Sequence, residues 1–282
     1  MFTLKIQNAN GEIFELTHNS KNFYVTGIEG LALSPVTINT ASSGLNDGSF
    51  FNSAIVEQRN IIIYITINGD IEQNRQRLYR VFSTKTPCTI YFKNKNRNVK
   101  IVGYVEVFEC DLFSQRQAAQ ISIICPRPYF ESLETVYTEL SKIVKLFEFP
   151  FSISEPTVIS EIADTPLCQI INDGDIETGF IITMNIQKTI SSLTLYNTTK
   201  QESFGVNYSF LAGDQLTINT KAGEKSVTLL RKGQETNMLN YISKNATWLT
   251  LGVGLNEFTF TVNTGEEATT AVFETTSLYG GV

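Results

Sequence analysis

The chain has 282 residues, of which 42% are apolar and 18% are charged, a composition typical of globular proteins. Its length favours two domains of ordinary size over one large domain. It contains a single histidine, His18, so a Ser-His-Asp or Cys-His enzyme would have to use that residue, and a His-rich metal site is excluded. The four cysteines show no C-x-x-C spacing, which argues against zinc and dithiol redox sites and favours buried free thiols.

The charge is unevenly distributed along the chain. Residues 1–135 carry 13 Lys and Arg against 12 Asp and Glu, whereas residues 136–282 carry 9 against 16, so the two halves have net charges of +1 and −7. Neither half has the basic character of a nucleic-acid-binding surface. The N-terminus lacks the apolar region of a signal peptide, and no stretch approaches the roughly 18 apolar residues of a membrane helix. We therefore expect a soluble protein made in the cytoplasm, without membrane insertion.

The first half predicts short strands and one helix. A hairpin opens the chain, and a polar loop follows around residues 40–50. Residues 55–67 form the strongest strand candidate, because both faces are largely apolar, as in a central strand. Residues 71–83 have helical spacing, with Asp70 as the expected N-cap. Further strands are predicted over residues 88–92, 99–110 and 119–126.

The second half predicts an antiparallel β-sandwich. Residues 131–147 have helical spacing and predict a short linking helix, with a strand-like segment as the alternative. Beyond them, short strands alternate with polar turns, the pattern of a sandwich. These strands are predicted over residues 168–172, 179–186, 192–197, 204–210, 214–220, 225–230, 247–251, 256–262 and 270–275.

The organisation that follows is a mainly β protein of two domains. We expect an N-terminal domain over residues 1–133, containing one α-helix, and a C-terminal sandwich domain over residues 157–282. Residues 134–156 are expected to form a linker with the helix described above. The change in net charge coincides with this boundary.

One acidic stretch has the partial pattern of a calcium loop. Asp173, Asp175 and Glu177 occupy the first, third and fifth positions of an EF-hand loop. Thr178 stands where that loop needs glycine, and Met184 where it needs a bidentate glutamate. A surface turn between two strands is therefore the preferred interpretation, and we expect no metal site.

Gly252 and Gly254 are likewise interpreted as a tight turn, because no helix follows to bind a phosphate.

Two further patterns each have a functional and a structural interpretation. Trp248, with Tyr241 nearby, could stack on a sugar, but a core position for the tryptophan is preferred because of the apolar area that it would bury. Arg75, Arg77 and Arg80 on the predicted helix could face nucleic acid, but a solvated or interface face is preferred. Paired carboxylates could make a glycosidase, although no local signature singles out a pair. The sequence thus offers no reaction centre and no cofactor site, and it suits an assembly protein.

The order of several short motifs resembles a known family. In the first half these are Gly27-Ile28-Glu29-Gly30-Leu31, Asp47-Gly48, Arg59, the helix from Arg75 to Phe82, the strand 101–107 and Cys125-Pro126-Arg127-Pro128-Tyr129-Phe130. In the second half they are Ile171-Asn172-Asp173-Gly174-Asp175, Tyr196-Asn197-Thr198-Thr199, the segment 213–218, Trp248-Leu249-Thr250-Leu251 and Gly254-Leu255-Asn256-Glu257-Phe258. In order and spacing the chain resembles the distal tail proteins of tailed bacteriophages, the siphovirus-type tail component.

The resemblance implies a structural virion protein of a phage or prophage tail, and no enzyme. The N-terminal domain would be a small β-barrel-like or β-sandwich unit with an extended arm, and six copies would close a homo-hexameric ring. The C-terminal domain would be a galectin-like sandwich that serves as a platform. The ring would join the tail tube to the tail-tip adsorption apparatus and let DNA pass without binding it specifically.

The same resemblance implies the partners and the location. The partners would be the tail tube protein, the tape-measure protein and a tail-associated lysin, fibre or receptor-binding protein, all in the virion tail. Candidate interface residues are Asp47, Gly48, Arg59, Arg75 and Arg77. The alternative function is a carbohydrate-binding module that recognises the host cell surface.

Overall fold

The structure is a computed structural model that describes residues 2–17, 20–42, 44, 47–114, 117–140, 143–145, 160–162, 167–263 and 269–282. His18, the single histidine, lies outside these residues. Two compact units are present: Met1–Leu133 with Leu278–Val282, and Glu134–Ser277. The described residues are mostly antiparallel strands with one α-helix, which confirms the predicted mainly β class.

The described part of the first unit is built from one large sheet, a separate two-stranded hairpin and one helix. Its elements are β1 (Thr3–Gln7), β2 (Ile13–Thr17), β3 (Phe23–Glu29), β4 (Val36–Ser42), β5 (Ser49–Val56), β6 (Arg59–Ile67), α1 (Ile71–Val81), β7 (Pro87–Lys93), β8 (Asn98–Cys110), β9 (Ala118–Cys125) and the first residues of β10 (Phe130–Leu140). The sheet runs in the order β2-β1-β7-β8-β9-β6-β3, with all pairs antiparallel.

The strand β6 is central, as its composition predicts, since it pairs with β3 and β9. Ile61, Ile63, Ile65 and Ile67 are at most 2% exposed and form the middle of the core. The opposite face of β6 is only half-buried, so one side carries most of the packing. Burying a side chain of this size contributes about 1.5–3 kcal/mol, so this one face stabilises the unit substantially.

The helix α1 begins where the sequence predicts. The Asp70 carboxylate accepts a hydrogen bond from the Gln73 backbone N–H at 3.2 Å, which caps the first turn. Leu78 and Val81 are buried against the sheet. Asn74 is also buried, and its amide donates to the Asn68 carbonyl at 2.7 Å, so the helix start is tied to the end of β6.

The second unit contains the remaining strands. They are the rest of β10, β11 (Ile143–Lys145), β12 (Ser160–Ile162), β13 (Cys168–Asn172), β14 (Phe180–Ile186), β15 (Leu193–Asn197), β16 (Glu202–Val206), β17 (Asp214–Asn219), β18 (Ser226–Arg231), β19 (Gln234–Asn237), β20 (Gly254–Val262) and β21 (Thr269–Tyr279), with a 3₁₀ helix over Leu239–Tyr241. One sheet has the order β19-β18-β17-β14-β21-β10, and a second has the order β13-β20-β15-β16.

The two sheets of this unit enclose one apolar core. Phe180 and Phe273 come from the first sheet and Phe258 from the second, and their ring centroids lie 5.0–5.3 Å apart. All three rings are fully buried. Alternating apolar residues on both sheets therefore meet face to face, which is the predicted antiparallel sandwich.

Two sequence predictions of local structure are wrong. The helix expected over residues 131–147 is replaced, over 130–140, by the extended strand β10, which pairs with β8 through Glu131 and Ser132. Thr275 also donates to the Val136 carbonyl at 3.3 Å. Pairing with neighbouring strands outweighs helical spacing here, since β-branched and aromatic residues are frequent in the segment. The strand expected over 247–251 is irregular, with only Leu251 forming an isolated bridge to Thr178.

A buried ion pair joins β17 to β18. Arg231 donates to both carboxylate oxygens of Asp214, at 2.9 and 2.6 Å, and the Leu211 backbone N–H donates to the same carboxylate at 2.7 Å. The Asp214 side chain is 2% exposed. The hydrogen bond from Arg231 is the main reason why the pKa of Asp214 lies below its ordinary value of 3.8.

We predict that Asp214→Asn lowers the free energy of unfolding by about 1–3 kcal/mol at pH 7, because a charge-assisted pair is lost. A depressed carboxyl pKa contributes stability above pH 3.8, and this contribution disappears as the pH falls further. Urea unfolding from pH 7 to pH 2.5 should therefore show the two proteins converging in acid. Asp173 is exposed, so Asp173→Asn is the control and should change the free energy of unfolding by less than about 0.5 kcal/mol. A difference that persists unchanged at pH 2.5 would contradict the prediction.

Gly30 lies at the end of β3 with φ +81°, and an added Cβ would sit 2.0 Å from the Asn60 carbonyl oxygen. We predict that Gly30→Ala destabilises the protein by about 2–4 kcal/mol, because the backbone conformation and the contact both disfavour a side chain. Chemical denaturation measures the effect. Gly44→Ala is the matched control, since nothing lies within 4 Å of its added Cβ. Equal stability of the two variants would show that the close approach at Gly30 is relieved without cost.

Candidate functional site

The strands β4 and β5 form a hairpin that stands out from the rest of the first unit. We call Val36–Val56 the arm. Within the described residues the two strands pair only with each other. Every residue of β4 is exposed, and so is every residue of β5 except Val56, which is half-buried. A two-stranded ribbon is marginally stable in water by itself, so this arrangement indicates an element built to contact something else.

The pairing register shows that the arm has two unlike faces. Residues directly opposite one another share a face, which places Val36 with Val56 and Ile38 with Ala54. The register shifts after Asn39, and Thr40 then lies opposite Phe51. Because this bulge rotates the second strand, Phe51 joins the same face as Ile38. One face of the arm is therefore mostly apolar.

The opposite face carries more hydrogen-bonding groups. Thr37 donates to the Glu57 carboxylate at 2.6 Å, and the Asn39 amide donates to the Ser53 hydroxyl at 3.0 Å. Phe50 and Ile55 add apolar area to this face. These polar pairs span the two strands and stabilise the hairpin without any contact from the core.

The exposed apolar area of the arm is large. Ile38, Phe50, Phe51 and Ile55 are 60–68% exposed. Ile38 and Phe51 lie together on one face, whereas Phe50 and Ile55 lie on the other, and exposed apolar area of this kind marks an interaction surface. The prediction of a polar loop over residues 40–50 leaves these apolar side chains unselected. Alternation is present only at the start of β4, and the sequence does not show the bulge that brings Phe51 to the face of Ile38.

Asp47 and Gly48, two of the predicted interface residues, lie at the tip of the arm. Both are exposed, and Gly48 has φ +92°, a conformation that favours glycine in a turn. The tip therefore has the exposure that an interface residue needs. Their role in an interface stays a prediction.

The prediction that Arg59 is an interface residue is corrected by the structure. The Arg59 side chain is only 1% exposed, so it lies in the interior and is not available to a partner. It donates to the backbone carbonyls of Pro128 at 2.7 Å, Gly30 at 2.5 Å and Gly280 at 2.6 Å, and also to that of Ala32. Its guanidinium lies over the Phe130 ring, 4.5 Å from the centroid. Burial lowers the pKa of this guanidinium from its ordinary value.

The two helix arginines lie in different surroundings. Arg75 is half-buried, pairs with Glu72 and donates to the Gln117 amide oxygen at 3.4 Å. Arg77 is exposed, and its guanidinium lies 5.0 Å from the centroid of the Phe14 ring. The structure does not bring either residue to the arm as a hydrogen-bonding partner within the described residues. Both remain predictions as interface residues.

The acidic stretch of the second unit forms a turn. Glu177 pairs with Lys200 at 2.7 Å and accepts a hydrogen bond from the Thr250 hydroxyl, and these bonds lower the pKa of its carboxyl. The Asn172 side chain accepts from the Gly174 backbone N–H at 3.0 Å, which shapes the turn. Across the described part of the chain, no group of three or more His, Cys, Asp or Glu residues could hold a metal ion.

Trp248 is partly buried against the core of the sandwich. Its ring lies 4.9 Å from that of Phe204, and the Lys225 ammonium lies 5.4 Å from its centroid. Tyr241 instead contacts Tyr208, with ring centroids 4.7 Å apart. The indole thus packs against the core from its edge, so the predicted core position holds only in part.

The cysteines are free thiols. Burial raises the pKa of Cys88 and Cys168 to about 11 and that of Cys125 to about 12. Such thiols are poor nucleophiles at neutral pH. Cys110 is half-buried, and burial raises its pKa too.

No helix in the described ranges is long and apolar enough to cross a membrane.

Comparison with known proteins locates a family domain in the second unit. Residues 173–276 match the family model of the siphovirus-type tail component, C-terminal domain. A search of curated proteins finds no match. The matched range begins just after β13 and ends within β21, and so covers most of the sandwich.

Solved structures share the fold over nearly the whole chain. The crystal structure of the Dit protein of phage SPP1, described as a paradigm of the hub adsorption apparatus of phages that infect Gram-positive bacteria, has a TM-score of 0.68 and 13% identity, covering 97% of this chain and 98% of that one. Two structures of the phage P2 baseplate in its activated conformation, with Ca and with Sr, have TM-scores of 0.51 and 0.50 at 11% identity. They cover 97% and 98% of this chain and 98% of theirs.

These identities are low, so the solved structures establish the fold, while the family model carries the relationship in sequence. The two findings agree with the resemblance drawn from the order of the motifs. Residues 173–276 are thus similar in sequence to the C-terminal domain of the siphovirus-type tail component, and the chain shares the fold of the SPP1 Dit protein over nearly its whole length, which supports the resemblance to phage distal tail proteins.

Proposed function

We propose that the protein is the ring-forming hub of a phage or prophage tail, joining the tail tube to the tail-tip adsorption apparatus. The observation that carries this proposal is the arm, whose apolar face finds no covering partner among the described residues of its own chain. Apolar area of this size is stabilised by burial, at about 25 cal/mol per Å². A second copy of the chain would cover this apolar face, because a ring forms only through contacts between copies.

The geometry of the arm suits a contact that repeats around a ring. At roughly 3.3 Å per residue, strands of seven and eight residues extend about 25 Å, far enough to reach a neighbouring copy. The arm and the surface that receives it are different parts of the chain, so the contact is head-to-tail. Contacts of this kind close into a ring when the rotation between copies allows it, and we propose six copies.

We assign different roles to the two domains. Residues 1–133 would form the ring, and residues 157–282 would serve as the platform for fibre, lysin or receptor-binding components. The tail tube and tape-measure proteins would contact the ring, which places the protein in the virion tail. The first half has a net charge of +1, which suits a passage that lets DNA slide without holding its phosphates.

The alternative function as a carbohydrate-binding module finds no support in the second unit. The aromatic residue proposed to stack on a sugar, Trp248, already contacts Phe204 and Lys225. The family model that matches residues 173–276 describes a tail component. We therefore propose a structural role without catalysis.

We predict that the purified protein forms assemblies with the mass of six 31.5 kDa chains, and that Phe51→Ser weakens assembly at least about tenfold. The reason is that Phe51 would be buried against the neighbouring copy. Light scattering and mass photometry over a concentration series measure the effect. Phe113→Ser is the matched control, because Phe113 is 99% exposed and lies outside the arm.

Two results would count against the proposal: a monomer at every concentration, or Phe51→Ser assembling as readily as the original protein. The gene neighbourhood tests the function by a separate route. A tail hub should be encoded after a tape-measure protein and before a tail-fibre or tail-lysin protein.

A further inference from the structure

Three segments distant in sequence meet at the side chain of Arg59. The first is the connection from β3 to the arm, through the Gly30 and Ala32 carbonyls. The second is the turn before β10, through the Pro128 carbonyl. The third is the segment after β21, through the Gly280 carbonyl. A guanidinium has five N–H donors in a rigid fork, and four of these bonds go to backbone carbonyls.

The arm is attached at this same place. Arg59 follows the end of β5 by three residues, and residues 30–35 precede the start of β4. The Glu57 backbone N–H donates to the Pro35 carbonyl at 2.9 Å, and the Ser34 hydroxyl donates to the Pro128 carbonyl at 3.5 Å. We call residues 30–35 together with Glu57 the arm base. The direction in which the arm leaves the unit depends on these bonds.

The segment Gly280–Val282 lies directly on the arm base. The Val282 backbone N–H donates to the Leu31 carbonyl at 3.1 Å. A Cβ added at Gly281 would sit 3.2 Å from the same carbonyl oxygen, so the backbones approach closely. Val282 and Tyr279 both pack on the core of the first unit, and the Arg97 guanidinium lies 3.8 Å from the centroid of the Tyr279 ring. The segment is therefore well anchored on both sides of its contact with Arg59.

We propose that Arg59 is the positioning residue of the arm, and that residues 280–282 act as a strap that holds the arm base in place through it. The binding of residues 280–282 to the arm base and the order of the arm base are then coupled, so that loss of either one makes the other more mobile. The coupling is a property of the single chain. Only its consequence for assembly rests on the proposed ring function.

Native-state hydrogen exchange tests the coupling, since the Glu57 amide reports on the arm base and the Val282 amide reports on the strap. In Arg59→Met we expect both amides to exchange at least about tenfold faster, because a buried charge-assisted network is lost. The Ile63 and Ile123 amides, in β6 and β9, should keep their protection. Arg59→Lys, which keeps the charge but loses the fork, should fall between. Arg80→Met, an exposed arginine at the end of the helix, is the matched control and should behave as the original protein.

A second variant keeps the test decisive if Arg59→Met does not fold. Deletion of residues 280–282 leaves Arg59 and β21 in place and should still accelerate exchange at Glu57. Unchanged exchange at Glu57 after the deletion would overturn the proposal. So would a uniform rise across β6 and β9 in Arg59→Met, because that result describes general destabilisation rather than positioning.

Assembly measured on the same variants separates the two proposals. If the coupling holds and the ring is formed through the arm, Arg59→Met and the deletion should both weaken assembly, whereas Arg80→Met should not. Accelerated exchange without any change in assembly would retain the strap and reject the arm as the ring contact.

Discussion

The buried guanidinium of Arg59, at the base of the arm, determines how separate segments of the first unit are held together. The Arg59 side chain has no acceptor atoms, and burying it is favourable only because carbonyl oxygens from separate segments surround it. Those carbonyls belong to the residues that enter the arm, to the turn before β10 and to the segment after β21. The guanidinium therefore has its full set of hydrogen bonds only when all three segments meet around it. This makes the network specific to a single arrangement of the chain.

The same network explains how an element without a core of its own can be held in a defined position. The arm exposes Phe51 and Ile38 to solvent, and its internal hydrogen bonds join only its two strands. Nothing in the arm itself fixes its direction. The hydrogen bonds at its base supply that direction. In the proposed ring, the exposed apolar face would supply the driving force for binding a neighbouring copy, and rigidity at the base would reduce the entropy lost on binding.

The second unit is organised on a different principle. Its sandwich is held by aromatic packing between two sheets, around Phe180, Phe258 and Phe273. The polar groups that are buried there, such as Asp214, are paired with partners on adjacent strands. Its acidic side chains are used in turns and ion pairs rather than in a metal site within the described residues. The unit is therefore held together by its interior packing, which suits the platform role proposed for it.

The sequence by itself determined the β class, the cap of the helix at Asp70 and the central strand with its four buried isoleucines, because alternation and capping are local properties. The order of its motifs also produced the resemblance that the family model supports over residues 173–276. Only the tertiary structure decided the rest. The segment 130–140 is a strand since its hydrogen-bonding partners in β8 and β21 come from elsewhere in the chain. The family resemblance makes Arg59 a candidate interface residue, yet its acceptors lie up to 221 residues away and enclose it. The apolar face of the arm depends on a bulge after Asn39, which no residue pattern announces.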